Sequence, residues 1–229
     1  MRFKKFTILF LLIVHFSYAQ NDLNEGFDVF GRNSTFMAVT SNNDTDIKGS
    51  KYIEDNFSLA RISNFGNRVF NVRYNAFDDL MEFKGKDGKI YTLNKNDKSI
   101  EITFTKSNTT YRLFDYKKNG NTLTVYFQVI TSGKNTLLKK HNIVFIKEQR
   151  SNSGYNDNKP PQFQRLNDSY YIISSDTHNY PIKLPKNKKK FADLFANSKK
   201  DILKYIKSNQ IKLNNESDLT KLFNYLNSL

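Results

Sequence analysis

The chain has 229 residues, 36 of them Lys or Arg and 22 Asp or Glu, which gives a formal net charge of +14, and it contains no cysteine. The absence of cysteine excludes a thiol nucleophile, disulfide exchange and Cys-ligated zinc, so the fold has to depend on a hydrophobic core. A chain of this length is sufficient for a single domain, or for a domain with a small appendage.

The N-terminus has the three parts of a secretory signal peptide. A basic start, MRFKK, is followed by a short apolar run, and Ser17 and Ala19 occupy the −3 and −1 positions of a cleavage site. The apolar run is shorter than the ~20 residues that a spanning helix needs, and no later segment is apolar enough to span a membrane. We therefore expect cleavage after Ala19 and export of the mature chain.

Export limits the partners that a basic protein meets. Nucleic acid is excluded, whereas anionic lipid headgroups, acidic glycans or an acidic envelope protein are suitable partners. The alternative is that the excess lysine forms only a solvated surface.

Residues 20–47 are polar and rich in Asn and Asp, and they predict a leader with one edge strand at most, around Phe27–Val39. From Lys48 onward, short segments alternate apolar and polar residues between Gly, Asn and Asp, which is typical of strands and turns. Because the connections are short, we expect an antiparallel, meander-like sheet. The strands are predicted at residues 69–74, 100–105, 110–115, 122–131 and 141–147, with hairpins around Asp87–Gly88 and over residues 168–185.

One polar segment interrupts this series. Residues 149–162, QRSNSGYNDNKPPQ, contain glycine and end in two prolines. A loop of this length inside a domain is uncommon, so it is interpreted as a flexible insertion or a binding loop.

The stretch RYNAFDDLMEF, residues 73–83, contains the highest density of acids and has two interpretations. The alternation of apolar residues changes phase at Asp78–Asp79, which predicts a turn there and places Arg73 opposite Glu82 on the next strand. The other interpretation is a catalytic carboxylate pair, as in glycosidases. Adjacent acids point in different directions and no tryptophan platform is present, so the structural interpretation is favoured.

Other chemistry has little support in the sequence. His141 and His178 are the only histidines after Ala19, and neither is accompanied by a serine in a G-x-S-x-G context or by a full set of metal ligands. There is no P-loop and no G-x-G-x-x-G. No catalytic residue, metal site or cofactor is predicted.

From Lys186 the apolar residues recur with helical spacing, which predicts three short amphipathic helices. Each is too short to be stable alone, so they have to pack on each other or on the sheet. Asn215 and Asp218 resemble a capping box. The lysines of the tail are expected to form a basic outer face, for which the candidates are Lys188, Lys189, Lys190, Lys199 and Lys200.

Two stretches, GSKYIEDNF at residues 49–57 and VRYNAFDDLMEF at residues 72–83, resemble a family of uncharacterised exported proteins of the Bacteroidota. Its motifs are G-S-x-Y-[LI] and R-Y-N-x-[YF]-x-D-x-x-E-F, and the similarity covers residues 48–229. The chain departs from the family pattern at Lys51, where proline is expected, and at Phe77, where tyrosine is expected. The resemblance implies a location in the periplasm or on the periplasmic face of the outer membrane. It implies no reaction, and the candidates for binding that it identifies are Arg73, Asn75, Asp79 and Glu82.

These observations predict an α+β protein in which an antiparallel meander sheet or partial barrel precedes a small helical tail. The expected division is a signal peptide at 1–19, a polar leader at 20–47, a β domain at 48–185 and a helical tail docked on it at 186–229.

The expected function is that of a non-enzymatic envelope protein, either a binding module or an accessory subunit of an outer-membrane assembly. The alternatives are a hydrolase of envelope glycan or lipid that uses Asp79 and Glu82, and a carrier of an apolar ligand. An acidic cleft would favour the hydrolase, a cavity lined by Phe and Tyr the carrier, and a filled core with an exposed apolar patch the subunit. The sequence identifies neither the partner nor the oligomeric state.

Overall fold

A computed structural model of the chain describes residues 36–39, 47–118, 120–149, 159–175 and 178–229. The predicted signal peptide, most of the predicted leader and most of the predicted loop at 149–162 lie outside the described residues. No helix among the described residues has the length and apolar character needed to cross a membrane.

The described strands form one open antiparallel sheet, as the alternating pattern predicts. The first five strands are β1 (Phe36–Val39), β2 (Ser58–Ile62), β3 (Val69–Asn75), β4 (Leu80–Lys84) and β5 (Ile90–Leu93). The other six are β6 (Glu101–Phe104), β7 (Thr109–Lys118), β8 (Asn121–Thr131), β9 (Asn135–Ile146), β10 (Gln162–Ser174) and β11 (His178–Lys183). The predicted edge strand of the leader is present as β1, and the predicted hairpin at Asp87–Gly88 joins β4 to β5.

The order of the strands is not that of a simple meander. It runs β1-β5-β4-β3-β2-β6-β7-β8-β9-β10-β11, so β6 pairs with β2 and not with β5. Strands β2 to β5 form a first meander and strands β6 to β11 a second, and between β5 and β6 the chain crosses from one side of the first meander to the other. The sheet is not closed, and β1 and β11 form its two edges.

Strand β9 is longer than predicted, beginning at Asn135 where the pattern placed the start at His141. Its first half contains Leu137 and Leu138, which are both fully buried but belong to different hydrophobic clusters. Since adjacent residues of a strand point to opposite faces, both faces of β9 are covered here. The alternation of apolar and polar residues that identifies a half-exposed strand is therefore missing.

Three hydrophobic clusters stabilise the sheet. The first lies mainly against β2 to β7 and includes Phe83 and Tyr126, and the second lies between the strands around Leu137 and the C-terminal helices. The third lies on β7 to β10 and is rich in aromatic rings. There Phe127 and Tyr171 have ring centroids 5.0 Å apart, and Tyr116 and Tyr171 have centroids 5.4 Å apart.

The tail contains α1 (Lys188–Ala192), α2 (Lys199–Ser208) and α3 (Glu216–Leu226), with a short 3₁₀ turn at Ala196–Ser198. Asn215 caps α3, accepting a hydrogen bond of 3.0 Å from the Asp218 backbone N–H. The carboxylate of Asp218 accepts from the backbone of Lys212 rather than returning to Asn215. The cap thus has the predicted position. The bond between the Lys212 backbone and Asp218 holds the segment between α2 and α3.

Helix α3 is joined to the β8–β9 hairpin by a side-chain amide. The Asn227 Oδ1 atom accepts from the Asn135 N–H at 2.8 Å, and its Nδ2 atom donates to the Asn135 carbonyl at 2.9 Å. Gly133 in the hairpin has φ of 151°, and a Cβ there would come within 2.6 Å of the Asn227 side chain. Glycine therefore allows this close approach of the hairpin to the helix.

Candidate functional site

The turn between β3 and β4 is formed by Asn75, Asp78 and Asp79, as the change of phase predicts. The Asp78 backbone N–H donates to Asn75 Oδ1 at 3.0 Å, and Asn75 Nδ2 donates to Asp78 Oδ2 at 2.9 Å. Asp79 has φ of 58°, a left-handed conformation that Asp and Asn tolerate better than most residues. Hydrogen bonds between side chain and backbone thus set the turn geometry.

Glu82 on β4 lies directly opposite Arg73 on β3, which confirms the predicted cross-strand pair. The Arg73 Nε and Nη2 atoms both lie 2.8 Å from Glu82 Oε2. Asn75 Nδ2 donates to Glu82 Oε1 at 3.2 Å, and the Tyr52 hydroxyl lies 3.4 Å from the same oxygen. The Glu82 side chain is only 5% exposed, so this is a buried charge whose partners all come from the protein itself.

The two stretches that carry the family resemblance meet at this pair. The backbone of Lys51 to Ile53 continues the sheet beside β3: Ile53 N–H donates to the Tyr74 carbonyl at 3.1 Å, and Ala76 N–H donates to the Lys51 carbonyl at 2.9 Å. This pairing places the Tyr52 ring over the Arg73 guanidinium, with the guanidinium carbon 3.7 Å from the ring centroid. The first stretch therefore covers the ion pair formed by the second.

Arg73 is held on two further sides. Its Nη2 atom donates to the Tyr52 hydroxyl at 2.7 Å, and its guanidinium carbon lies 4.4 Å from the centroid of the Phe57 ring. Burial raises the pKa of Tyr52, and the neighbouring Glu82 carboxylate raises it further, so the hydroxyl stays neutral and can donate. Stacked aromatic rings and a carboxylate together fix the guanidinium in one orientation.

Asp79 forms a second ion pair on the far side of the same turn. One of its oxygens lies 2.5 Å from Lys95 Nζ, the other lies 3.5 Å from Lys140 Nζ, and the Tyr74 hydroxyl donates to it at 2.7 Å. Burial raises the pKa of Tyr74 well above its ordinary value, and the Asp79 carboxylate adds to the effect. The Tyr74 hydroxyl therefore serves as a donor rather than as a proton source.

The same carboxylate completes the hydrogen bonding of the second meander. The pairing of β8 with β9 ends at Gln128 and Lys139, and the Asp79 oxygens accept the N–H of Tyr126 just beyond that point, at 3.2 Å. Asp79 thus takes the place of a strand partner where β8 and β9 separate. It fastens the first meander to the second.

These contacts favour the structural interpretation of the acids over the catalytic one. Every oxygen of Asp79 and Glu82 faces donors that belong to the protein, among them three cationic side chains. A general acid or nucleophile has to reach a substrate atom. In this structure the two carboxylates instead join strands, which is the arrangement expected of structural ion pairs.

His141 forms a buried polar network that sequence reasoning missed. Its Nδ1 atom lies 3.0 Å from Asp168 Oδ1, and its Nε2 atom lies 3.1 Å from the Tyr111 hydroxyl and 3.2 Å from Gln128 Oε1. Asp168 reaches the ring because the β9–β10 register shifts between Leu166 and Ser169. The sequence signal for this bulge is only the polar Asn-Asp-Ser run.

The network has an electrostatic consequence for Asp168. Burial on its own raises the pKa of this carboxyl, but the hydrogen bond and charge interaction with His141, together with Arg165, outweigh burial and leave the pKa below its usual value. Among the described residues no serine or threonine hydroxyl is hydrogen-bonded to the ring of His141, whose second nitrogen faces Tyr111 and Gln128. The described residues contain no group of three or more His, Cys, Asp or Glu side chains able to hold a metal ion.

The predicted basic face does not contribute to this site. All five of its lysines are exposed residues of α1 or α2, and Lys199 pairs with Asp193 at 2.6 Å. None of them contacts the β3–β4 turn. The sequence candidates therefore separate into a buried, paired group around Arg73 and an exposed group on the tail.

A patch of three phenylalanines was also missed by sequence reasoning. Phe77 in the β3–β4 turn lies 5.1 Å from Phe163 on β10 and 6.5 Å from Phe145 on β9, measured between ring centroids, and Phe145 and Phe163 are 5.3 Å apart. Phe77 is 40% exposed and Phe145 is 38% exposed. We call these three residues the Phe patch. Its members come from distant parts of the sequence, so no local pattern indicates it.

The backbone below the Phe patch is held by Lys48 and by Gly49, the first residue of the first resemblance stretch. Phe163 N–H donates to the Lys48 carbonyl at 2.8 Å, and Lys48 N–H donates to the Pro161 carbonyl at 3.2 Å. A Cβ on Gly49, which has φ of 79°, would lie 2.1 Å from the Phe163 carbonyl oxygen. Only glycine permits this contact.

No protein-family model, curated protein or solved structure matches the chain.

Proposed function

We propose that the protein is an exported, non-enzymatic subunit of a bacterial envelope assembly and that the Phe patch binds the apolar surface of a partner protein. The observation that carries this proposal is the placement of Phe77, Phe145 and Phe163 on a rigid base. Exposed phenylalanines that touch one another are unusual on a monomer surface, and contiguous apolar patches mark interaction sites. Aromatic residues are also enriched at protein interfaces.

The rigidity of the base supports binding. Phe145 and Phe163 are cross-strand partners, Phe77 is part of a turn fixed by side-chain hydrogen bonds, and Gly49 lets the 48–53 segment lie against β10. A surface that is already ordered loses little conformational entropy on binding. Gly49 and the Asn75–Asp78 turn, which lie in the stretches that carry the family resemblance, thus help to hold the patch, a role that involves no catalysis.

The two alternative functions receive less support. A hydrolase requires carboxylates that reach substrate, whereas Asp79 and Glu82 are occupied by Lys95, Lys140 and Arg73. A carrier requires an interior open to an apolar ligand, whereas aromatic rings of β7, β8 and β10, with centroids 5.0–6.1 Å apart, pack against one another. A filled core with an exposed apolar patch is the combination expected of a subunit.

The test is site-specific photo-crosslinking in the native host. A photoreactive phenylalanine analogue replaces Phe145 in one strain and Leu123 in the control strain, because Leu123 is 46% exposed on β8 but is remote in sequence from the patch. We expect one discrete adduct from position 145 and none from position 123. The adduct should disappear when Phe77→Ser is added, with little change in melting temperature.

Equal adducts at both positions, or none at position 145, would contradict the binding role. The enzymatic alternative is tested separately with purified protein and isolated envelope glycan and lipid. Hydrolysis of either that is lost in Asp79→Asn or Glu82→Gln would overturn the non-enzymatic part of the proposal. N-terminal sequencing of the same purified protein tests export, for which we expect Gln20 as the first residue.

A further inference from the structure

The tail presents a dense group of exposed lysines on α1, α2 and the residues beside them. Within residues 186–207 all the basic residues are lysine, and the only acids are Asp193 and Asp201. The lysines are all exposed: Lys186, Lys188, Lys189, Lys190, Lys199, Lys200, Lys204 and Lys207. Lys199 pairs with Asp193, and no other member of the group has an acidic partner within 4.0 Å among the described residues. We call this group the lysine face.

The lysine face cannot turn toward the protein core, and its helices cannot insert into a membrane without exposing their buried side. On the opposite side of the same helices Phe191 and Ile202 are fully buried, and Ile206 is 1% exposed, all within the cluster that joins the tail to the sheet. Rotating either helix would expose these side chains to water. The face is therefore a fixed outer surface that can bind a partner only from the solvent side.

We propose that the lysine face is a peripheral docking surface for a membrane that contains anionic phospholipid headgroups. Clusters of lysine are attracted to such membranes because each positive charge near the surface adds to the binding. Lysine suits this role because its ammonium is a flexible point charge that does not need the fixed fork geometry of arginine. This inference uses a different surface from the Phe patch and stands independently of the proposed function.

An acidic protein fits this surface less well. Protein interfaces are enriched in aromatic residues and arginine and depleted in lysine. In the lysine face no arginine is present, and the only large apolar side chain of the tail that is highly exposed is the C-terminal Leu229. The surface thus offers charge without an apolar centre, as expected for binding to a layer of headgroups.

The experiment is co-sedimentation of the native protein, purified from its host, with two kinds of vesicle. One contains equal parts of phosphatidylglycerol and phosphatidylcholine, and the other contains phosphatidylcholine alone. The test variant carries Lys188→Gln, Lys189→Gln and Lys190→Gln. The control carries Lys84→Gln, Lys106→Gln and Lys147→Gln, which remove three exposed lysines of the β domain and lower the net charge by the same amount. All forms share one N-terminus, so any contribution from residues 1–19 cancels.

We expect wild-type protein and the control to bind the anionic vesicles and not the neutral ones. The test variant should bind about 100-fold more weakly, since each lysine contributes about fivefold. Binding should also weaken between about 0.1 M and 0.5 M salt because ions screen exposed charges. Equal losses in the test and control variants would show only a net-charge effect and would overturn the proposal. Absence of binding to anionic vesicles would overturn it too, and would leave an acidic protein as the partner to seek.

Discussion

The β3–β4 turn and the C-terminal tail both contain many charged side chains, but those of the turn are buried in ion pairs and most of those on the tail are exposed. At the turn, the carboxylates of Asp79 and Glu82 are largely buried, and each lies within 2.8 Å of a cation. On α1, three consecutive lysines are exposed, and no acid of the described residues lies within ion-pair distance of them. The sequence predicted the pair of Arg73 with Glu82 and the exposed lysines, but not the second ion pair, which Asp79 forms with Lys95 and Lys140.

The difference shows how burial determines what a charge contributes. A buried charge that loses its partner destabilises a protein by several kcal/mol, whereas an exposed ion pair contributes about 0–1 kcal/mol. The turn should therefore control folding and the lysine face should control binding. Each of the following predictions tests one side of this comparison, in order of decreasing effect.

The largest effect should come from removing the whole tail, because its inner side is part of the core. We expect a chain truncated after Pro185 to lose its cooperative unfolding transition. Leu219, Leu222 and Phe223 are fully buried and contribute about 1.5–3 kcal/mol each, which together is comparable with the whole stability of a typical domain. Calorimetry tests this, and an unchanged melting temperature would show that the tail is an independent appendage.

Glu82→Gln should lower the free energy of unfolding by about 3 kcal/mol, because Arg73 would be left without its counter-charge in a largely buried position. Glu101→Gln is the matched control, since Glu101 pairs with Arg112 at 3.1 Å but its side chain is 43% exposed. We expect a loss below about 1 kcal/mol for the control. Urea titration of the two variants measures the contrast, and similar losses would remove the distinction between buried and exposed pairs.

Asp79→Asn should destabilise the protein by about 2 kcal/mol, since Lys95 and Lys140 lose their counter-charge while a polar acceptor is retained. Asparagine also tolerates the left-handed backbone at this position, so the change isolates the charge. The comparison is Asp115→Asn, which breaks a pair of the same 2.5 Å length with Lys98 on the exposed surface. Equal melting temperatures for the two variants would show that Asp79 does not stabilise the contact between the two meanders.

The contribution of Asp168 should depend on pH. Its pKa in the folded protein lies below the value in the unfolded chain, so its stabilising effect is fully present above the unfolded pKa of about 4 and is lost as the pH falls through the folded pKa. At about pH 5 the melting temperature of the wild type should therefore exceed that of Asp168→Asn. The gap should shrink at lower pH. If the difference between the two melting temperatures increased as the pH fell, the pKa of Asp168 would not be lowered by folding and the prediction would be wrong.

The smallest effect on stability should come from the lysine face. Replacing Lys188, Lys189 and Lys190 with glutamine should change the free energy of unfolding by less than about 0.5 kcal/mol, because these side chains are exposed. Thermal unfolding by circular dichroism tests this. A large loss would show that the lysines stabilise the fold and are not reserved for a partner.

The sequence predicted those features that depend on neighbouring residues. Alternation located the turn at Asp78–Asp79 and the pairing of Arg73 with Glu82, because the strands that carry them are joined by a short turn. The helical periodicity of the tail identified its buried residues for the same reason.

Features that depend on distant segments were not predictable. The pairing of β6 with β2 leaves no local signal, and the contacts of Asp79 with Lys95 and Lys140 join residues 16 and 61 positions apart in the numbering. The Phe patch has the same origin, since it depends on how the two meanders meet. The contact of His141 with Asp168 depends instead on the register shift between β9 and β10, for which the sequence carries only a weak signal.

The most direct test of the account is a double-mutant cycle on Arg73 and Glu82. The free energy of unfolding is measured for wild type, Arg73→Leu, Glu82→Leu and the double variant. If the pair is a structural link, each single variant is strongly destabilised, and the double variant is at least as stable as Glu82→Leu, with a coupling energy of about 2 kcal/mol or more. A coupling energy near zero, with single variants that fold as well as the wild type, would contradict the structural role of the turn.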